Sequence, residues 1–547
     1  MIIGIFGLLV QLAIIVGIVL LIVRLSSGRD KATSEGVGVA IRRFFVYAIM
    51  LTMLILVGIG VAGLIEAALP GSNELTDSST QTAISIAFVI VGLPVYVGLA
   101  LYTRRRLRDD PHEQRSLGWA FYLTVALIGS LLASMSLVGA VLSGLADQGK
   151  IDRTLLIHAA VWTTIWAWHW WVSRVREAKR STEIHMLLGS AVGLIWTFVG
   201  AFATIAAVLT TIYDGLFLVL ILDSGISQIL RPLSVLIVGF PVWWWYWFRH
   251  ARHIPRTPWW LAHTLLLGVL GGAVAVITGT GVVLYGLLQW ILNDLSSAAA
   301  HFTFLPGAVT GVLVGGAVWT YHASVLDGSR ERDRSEIGRM YDYLLSGAGL
   351  VVAAGGVTTL IVTVVKATSG TTITSSSSGN VLAAAITLIV IGAPLWWRYW
   401  STIQKARAQD PTGELQSITR RIYIVVLFGV AAVIAVISLI VILFIFFQNI
   451  LDGTLGSVTL DNAAVPIALL LTAGALAWYH FAVFREDRKT SLPDDGTQGP
   501  DPHPLAWPRP ASRGSLEQTL ESLDAMGHGH VIVTTTAEGY EITPSSE

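Results

Sequence analysis

The chain contains no cysteine and little charge. Only 13% of its 547 residues are Asp, Glu, Lys or Arg, about half the share of a soluble domain. Without cysteine there is no disulfide framework, Cys-ligated zinc, iron–sulfur cluster or thiol nucleophile. Net charge is also lacking, since 35 Lys and Arg offset 35 Asp and Glu. That balance argues against a nucleic-acid partner. No His-Glu-x-x-His, no Gly-x-Ser-x-Gly elbow and no P-loop occurs, so the familiar catalytic signatures are missing. Within the apolar runs the ionisable residues are Glu66 near an outer end, and Asp342 and Arg398 near inner ends. None sits at a midplane, and that weakens an ion-coupled transporter, because such sites need intramembrane charge.

What fills the chain instead is apolar: 54% of it is hydrophobic. A helix needs about 20 mostly apolar residues to cross a bilayer. Thirteen runs qualify, at 2–23, 44–69, 82–102, 117–146, 154–173, 186–213, 232–248, 259–292, 303–324, 340–365, 380–399, 422–447 and 463–484. The first lacks a basic n-region and a small-residue cleavage site, so it reads as a retained helix. Basic residues test the count independently, because they collect in cytoplasmic loops. Alternate segments, beginning after the first run, hold 30 of the 35 Lys and Arg, and the opposite segments hold 4. The bias never breaks phase. The expected fold class is therefore an all-α polytopic membrane protein with 13 transmembrane helices, its N-terminus outside and its C-terminus cytoplasmic. Residues 214–231 are apolar enough to lie as a short helix on the outer surface.

Self-comparison shows a repeat. Gly92-Leu93-Pro94-Val95-Tyr96, Gly239-Phe240-Pro241-Val242-Trp243 and Gly392-Ala393-Pro394-Leu395-Trp396 share a Gly-x-Pro-x-aromatic signature, with prolines 147 and 153 residues apart. Trp168-His169, Tyr321-His322 and Tyr479-His480 follow in the same order, spaced by 153 and 158. The entries Arg42-Arg43-Phe44, Arg339-Met340-Tyr341 and Arg420-Arg421-Ile422 resemble one another more loosely. A leading helix and loop (1–35) thus precede three four-helix repeats at 36–180, 181–338 and 339–489. Four crossings separate equivalent points, so every copy enters the membrane in the same direction. A pseudo-threefold bundle is the simplest arrangement; an open row satisfies the same parity.

The basic-aromatic opening, Gly-x-Pro-x-Trp and the later Trp-x-x-His resemble a bacterial membrane-domain family of unknown function, DUF5671. The likeness covers about residues 36–489. It implies tandem four-helix membrane units and supplies no activity, substrate or catalytic residue. The middle unit departs from the pattern, with Glu183-Ile184-His185-Met186 in place of the double-Arg entry.

Several residue types carry a choice of readings. Twelve of the 20 tryptophans lie in three runs, mostly towards the inner end, where an aromatic belt is expected. An aromatic groove for a lipid, quinone or cation is the alternative. His169, His322 and His480 are read as structural hydrogen-bonding residues, with haem or metal ligation as the competing reading. Pro94, Pro241 and Pro394 each remove a backbone hydrogen bond and are read as packing kinks. Gly189-x-x-x-Gly193 and Gly311-x-x-x-Gly315 have the spacing of helix contact faces. Beyond the membrane part, residues 490–513 read as a flexible linker. Residues 514–547 form a short tail with a helix at 515–523 and a hairpin turning at Ala537-Glu538-Gly539. Gly527-His528-Gly529-His530 reads as a flexible turn. No cofactor is expected. The partners expected are the bilayer and another membrane or cytoplasmic protein reached through 514–547. These readings together describe an inner-membrane binding or assembly component; a transporter or channel for a neutral or lipid-like molecule is second, and a lipid-modifying enzyme third.

Overall fold

A computed structural model describes residues 34–69, 78–114, 116–176, 179–217, 226–293, 295–327, 336–369, 375–491, 531–536 and 539–544. The expected leading helix, the linker, the 515–523 helix and the 527–530 turn lie outside the described residues. Twelve long helices account for most of the remainder. The first four are α1 (Ser34–Ala68), α2 (Ser78–Asp109), α3 (Leu117–Gln148) and α4 (Arg153–Arg176). The second four are α5 (Lys179–Phe217), α6 (Ser227–Trp243), α7 (Gly271–Leu292) and α8 (Leu305–Asp327). The last four are α9 (Glu336–Thr368), α10 (Ser375–Gln409), α11 (Ile418–Leu451) and α12 (Ser457–Ser491).

Eleven of the twelve are long and apolar enough to cross a membrane, and the protein is a multi-pass membrane protein. The exception is α4. It has 24 residues, but five tryptophans and two histidines lower its mean hydropathy. The apolar segment 214–231 does not form a separate surface helix at its described ends: Asp214–Phe217 continue α5, and Ser227–Arg231 begin α6.

The first two units are each two closely packed hairpins; in the third only the first hairpin packs closely, and α11 meets α12 through side chains such as Arg420 and Asp487. α1 packs on α2 and α3 on α4, with the same pairing for α5 with α6, α7 with α8, and α9 with α10. In an apolar solvent this packing relies on close backbone approach, and the signature glycine supplies it. A Cβ on Gly239 would meet the backbone of Trp196 and Thr197, and one on Gly392 would meet the backbone of Ala353. The helices run on through Pro94, Pro241 and Pro394.

The units join side by side through one recurring contact. The third helix of one unit lies on the second helix of the next, α3 on α6 and α7 on α10. At the first junction Ser143 Oγ meets Ser234 Oγ at 2.7 Å, and Arg231 pairs with Asp147. At the second, Gln289 Nε2 donates to Asn380 Oδ1 at 2.9 Å. Relative to their signature prolines, Ser234 and Thr387 are equivalent, and each faces the glycine of the neighbouring third helix, Gly139 or Gly281. One operation therefore relates both junctions, and all three units stand the same way up. Among the described residues, no extensive packing joins the third unit back to the first. The arrangement is an open row, which corrects the simpler expectation of a pseudo-threefold bundle. Parity alone never distinguished the two; junction contacts do.

The row's interior is thickest in the middle unit, around the turn between its second and third helices. There Tyr246, Trp247, Trp260 and Leu265 form a buried cluster with Leu131 and Met135 of the first unit and Leu345 of the third. The tail is a separate unit of the chain. In it, β1 (Val531–Thr536) and β2 (Gly539–Pro544) pair antiparallel, with Thr536 opposite Gly539.

Candidate functional site

The three signatures converge within each unit. The histidine in the C-terminal half of the fourth helix is buried in every case, at 2% exposure for His169 and 0% for His322 and His480. Each ring Nδ1 lies 2.8–2.9 Å from the carbonyl four residues earlier, those of Ile165, Val318 and Leu476. Nδ1 therefore donates, and Nε2 is left as an acceptor directed into the unit; this tautomer follows from the hydrogen-bond network. In the first unit Tyr122 donates to His169 Nε2 at 3.0 Å and accepts from Tyr96 at 3.3 Å. The equivalent third-helix residues turn elsewhere in the other units. His263 bonds Ser190 at 3.2 Å, and Tyr423 bonds Ser346 at 3.0 Å. That leaves His322 Nε2 and His480 Nε2 without partners, together with the indole N–H of the signature residues Trp243 and Trp396. Among the described residues no group of three His, Cys, Asp or Glu is arranged to hold a metal ion.

The middle unit differs from its neighbours. Its second and third helices each contain a π-helical stretch, Trp244–Phe248 and His263–Leu270. Such insertions recur at functional positions because they re-aim side chains. Here they bring Trp247 against both His263 and His322, with ring centroids 5.1 and 5.6 Å apart. Gly268 makes room for the arrangement, since a Cβ there would fall on the His322 ring. Gly189 and Gly193 accept the Tyr246 ring and the Trp243 backbone in the same way, and Gly315 meets Ala275 and Gly272.

Beside this cluster, between α5 and α8, lies a partly open cavity of about 310 Å³ that Trp243 and Tyr321 also line, with Leu313 and Ala317 of its wall exposed. Its walls are apolar and include Leu194, Phe198, Ile205, Leu313 and Val318. Thr197, also in the wall, satisfies its hydroxyl on the Gly193 carbonyl at 2.7 Å.

The tryptophans do not form a single belt. Trp168, Trp171 and Trp397 are exposed, whereas Trp247, Trp260, Trp119 and Trp400 are buried. A buried indole needs an acceptor, and tyrosine supplies it repeatedly. Trp247 donates to Tyr321 at 2.8 Å and Trp400 to Tyr479 at 2.6 Å, within their units. Trp166 donates to Tyr246 at 3.0 Å and Trp319 to Tyr341 at 3.1 Å, across the two junctions. The aromatic-His motif thus divides: Tyr321 and Tyr479 accept from indoles of their own units, while Trp168 in the same place is exposed. The sequence signal for these bonds is available, a tryptophan six residues after each of Pro241 and Pro394.

The turns between the second and third helices of the first and third units carry buried ion pairs that the sequence reading passed over. Glu113, on the short helix Pro111–Gln114, accepts from Arg43 Nε at 2.9 Å and from Tyr47 at 2.8 Å. Glu414, on Pro411–Gln416, accepts from Arg339 Nε at 2.9 Å. Asp110-Pro111 and Asp410-Pro411 mark both turns; the middle unit has Ile254-Pro255 and no glutamate there. Arg420, by contrast, opens α11, the third helix of its unit, three residues after the N-cap Ser417, as Trp119 follows Ser116. Its likeness to the unit entries Arg42-Arg43 and Arg339 is local, and Arg420 is not a unit entry. Of the other charges in the apolar runs, Glu66 near the end of α1 accepts from Thr154 at 2.5 Å, and Arg398, inside α10, donates to Thr402 at 2.7 Å.

Helices paired by glycine contact, one lateral junction used twice and polar groups gathered at one end of each unit define a tandem-repeat helical membrane protein. The family model of the domain of unknown function DUF5671 matches three times, over residues 43–157, 183–317 and 339–475. The chain belongs to that family. The three matches begin at Arg43, Glu183 and Arg339. No curated protein and no solved structure matches the chain.

Proposed function

We propose that the protein is a binding and assembly component of a bacterial inner membrane, and that the middle unit holds an apolar, lipid-like molecule between α5 and α8. The observation that carries this reading is the cavity of about 310 Å³, walled by Leu, Ile, Phe and Val and also lined by an indole. Apolar walls with few polar groups are the usual form of a small-molecule site. A charged or strongly polar solute finds nothing there to replace its water, so the occupant is an acyl or isoprenoid chain. Thirteen crossings, an outside N-terminus and a cytoplasmic C-terminus complete the proposal, supported by the partition of 30 basic residues against 4. The units at 36–180, 181–338 and 339–489 are its building blocks, and the tail at 514–547 offers a contact for a cytoplasmic protein.

A fatty acid carrying a diazirine, photolysed with the purified protein in vesicles, tests the reading. Label is expected on α5 and α8 and is expected to fall at least several-fold in Ala317→Trp, which fills the cavity. Equal labelling of the filled and native proteins rejects the site. Release of a neutral solute from loaded vesicles, dependent on the protein, would replace binding by transport.

A further inference from the structure

Among the described residues the lateral junction recurs twice and leaves one copy of each half unpaired at the ends of the row. The unused second helix is α2. Counting back from its proline, Ala87 and Val91 occupy the positions of Ser234 and Val238 in α6, and of Thr387 and Ile391 in α10. Ser234, Val238 and Thr387 are buried by the junctions, at 3%, 8% and 5% exposure. Val91 is 59% exposed, and Ala87 and Ile84 beside it are exposed as well.

The unused third helix is α11. Counting from the N-caps Ser116 and Ser417, Met135, Gly139, Ser143 and Asp147 of α3 correspond to Val436, Ile440, Phe444 and Gln448. Met135 is 2% exposed at its junction, whereas Val436, Ile440 and Phe444 are 58%, 60% and 64% exposed. These four form a ridge spaced by four residues, the pattern that packs between the ridges of another helix. Its outer end also matches: Asp147 and Gln289 make the polar bonds of the two internal junctions, and Gln448 stands at that level, exposed. The large Phe444 faces the position of the small Ala87, a complementary pair where Ser143 meets Ser234 internally.

We propose that the α11 face of one copy docks on the α2 face of a second copy, repeating the internal junction between chains. Both halves of the contact are present on one chain and in the same upright sense, so association is head-to-tail. Such a heterologous contact builds a ring if the rotation closes and a longer row if it does not. It does not involve α5 or α8 and is independent of any occupant of the cavity.

The absence of native cysteine allows a direct test in membranes. Two differently tagged copies are co-expressed, one carrying Phe444→Cys and the other Ala87→Cys, and treated with an oxidant. Both positions are exposed, so neither change disturbs packing within the chain. A covalent dimer bearing both tags is expected, at a yield comparable to the intrachain bridge of Ser143→Cys with Ser234→Cys. Neither copy alone is expected to give it. The intrachain bridge forming without the mixed dimer would overturn the proposal and leave both faces to lipid. A closed monomer from Phe444→Cys and Ala87→Cys on one chain would also overturn it, as would a bridge from Ala87→Cys to Ala13→Cys in the same chain.

Discussion

Asp487→Asn is the substitution whose consequence follows most directly from the packing. Arg420 is 1% exposed in the first turn of α11. Its Nε and Nη2 donate to the two oxygens of Asp487 at 2.7 and 3.0 Å, and its Nη1 donates to Tyr343 at 3.0 Å. The asparagine keeps the shape and one acceptor oxygen but removes the charge, leaving a buried guanidinium without its counter-ion. Removing one partner of such a pair costs about 3–5 kcal/mol. Asp487 is 13% exposed, so water offsets part of the loss and the lower figure applies. Arg420→Met costs less, about 1–3 kcal/mol, because Asp487 still has Arg407 Nε 3.4 Å away. With both changes no buried charge is stranded on α11, and the combined loss is expected to fall short of the sum by about 2 kcal/mol. Titration with a denaturing detergent, followed by tryptophan fluorescence, measures all four stabilities. Strictly additive losses would refute the reasoning, since the pair would then behave as two separate surface charges.

Tyr122→Phe strands the Nε2 acceptor of His169 and is expected to cost about 1–3 kcal/mol in the same titration. Tyr423→Phe, which leaves only the exchangeable Ser346 hydroxyl, is expected to cost less. Gly268→Ala pushes a methyl onto the His322 ring and is expected to destabilise by about 1–3 kcal/mol. Gly98→Ala, with nothing within 4 Å of the new methyl, is expected to be neutral or slightly stabilising. Trp247→Phe loses the bond to Tyr321 and leaves a gap in the buried cluster, whereas Trp259→Phe, 68% exposed, is expected to change stability by less than about 0.5 kcal/mol.

The repeat was legible because its landmarks are residues with few substitutes. Only glycine permits the approach of α6 to Trp196 and Thr197, so Gly239 and its counterparts stand out in the sequence. The open row was not legible, because parity fixes direction and not closure. The tryptophans misled for a physical reason: an indole suits a headgroup region and a buried tyrosine acceptor equally well, and the partner of Trp247 is 74 residues away. The same holds for the unpartnered Nε2 of His322. Nothing near it in sequence shows that His263 would turn to Ser190. The ion pairs at Glu113 and Glu414 were missed although a signal existed, the Asp-Pro that opens each of those turns.

Three units standing alike is the claim on which the rest depends, and sidedness of labelling tests it most directly. Single substitutions at equivalent exposed turns, Asp109→Cys, Pro255→Cys and Gln416→Cys on one side and Lys150→Cys, Ser296→Cys and Ser457→Cys on the other, are exposed in intact cells to an impermeant thiol reagent. The second trio is expected to react in every unit, and the first trio is expected to react only after the membrane is opened. Reversal of both positions in any single unit would show a copy standing upside down and would contradict the account.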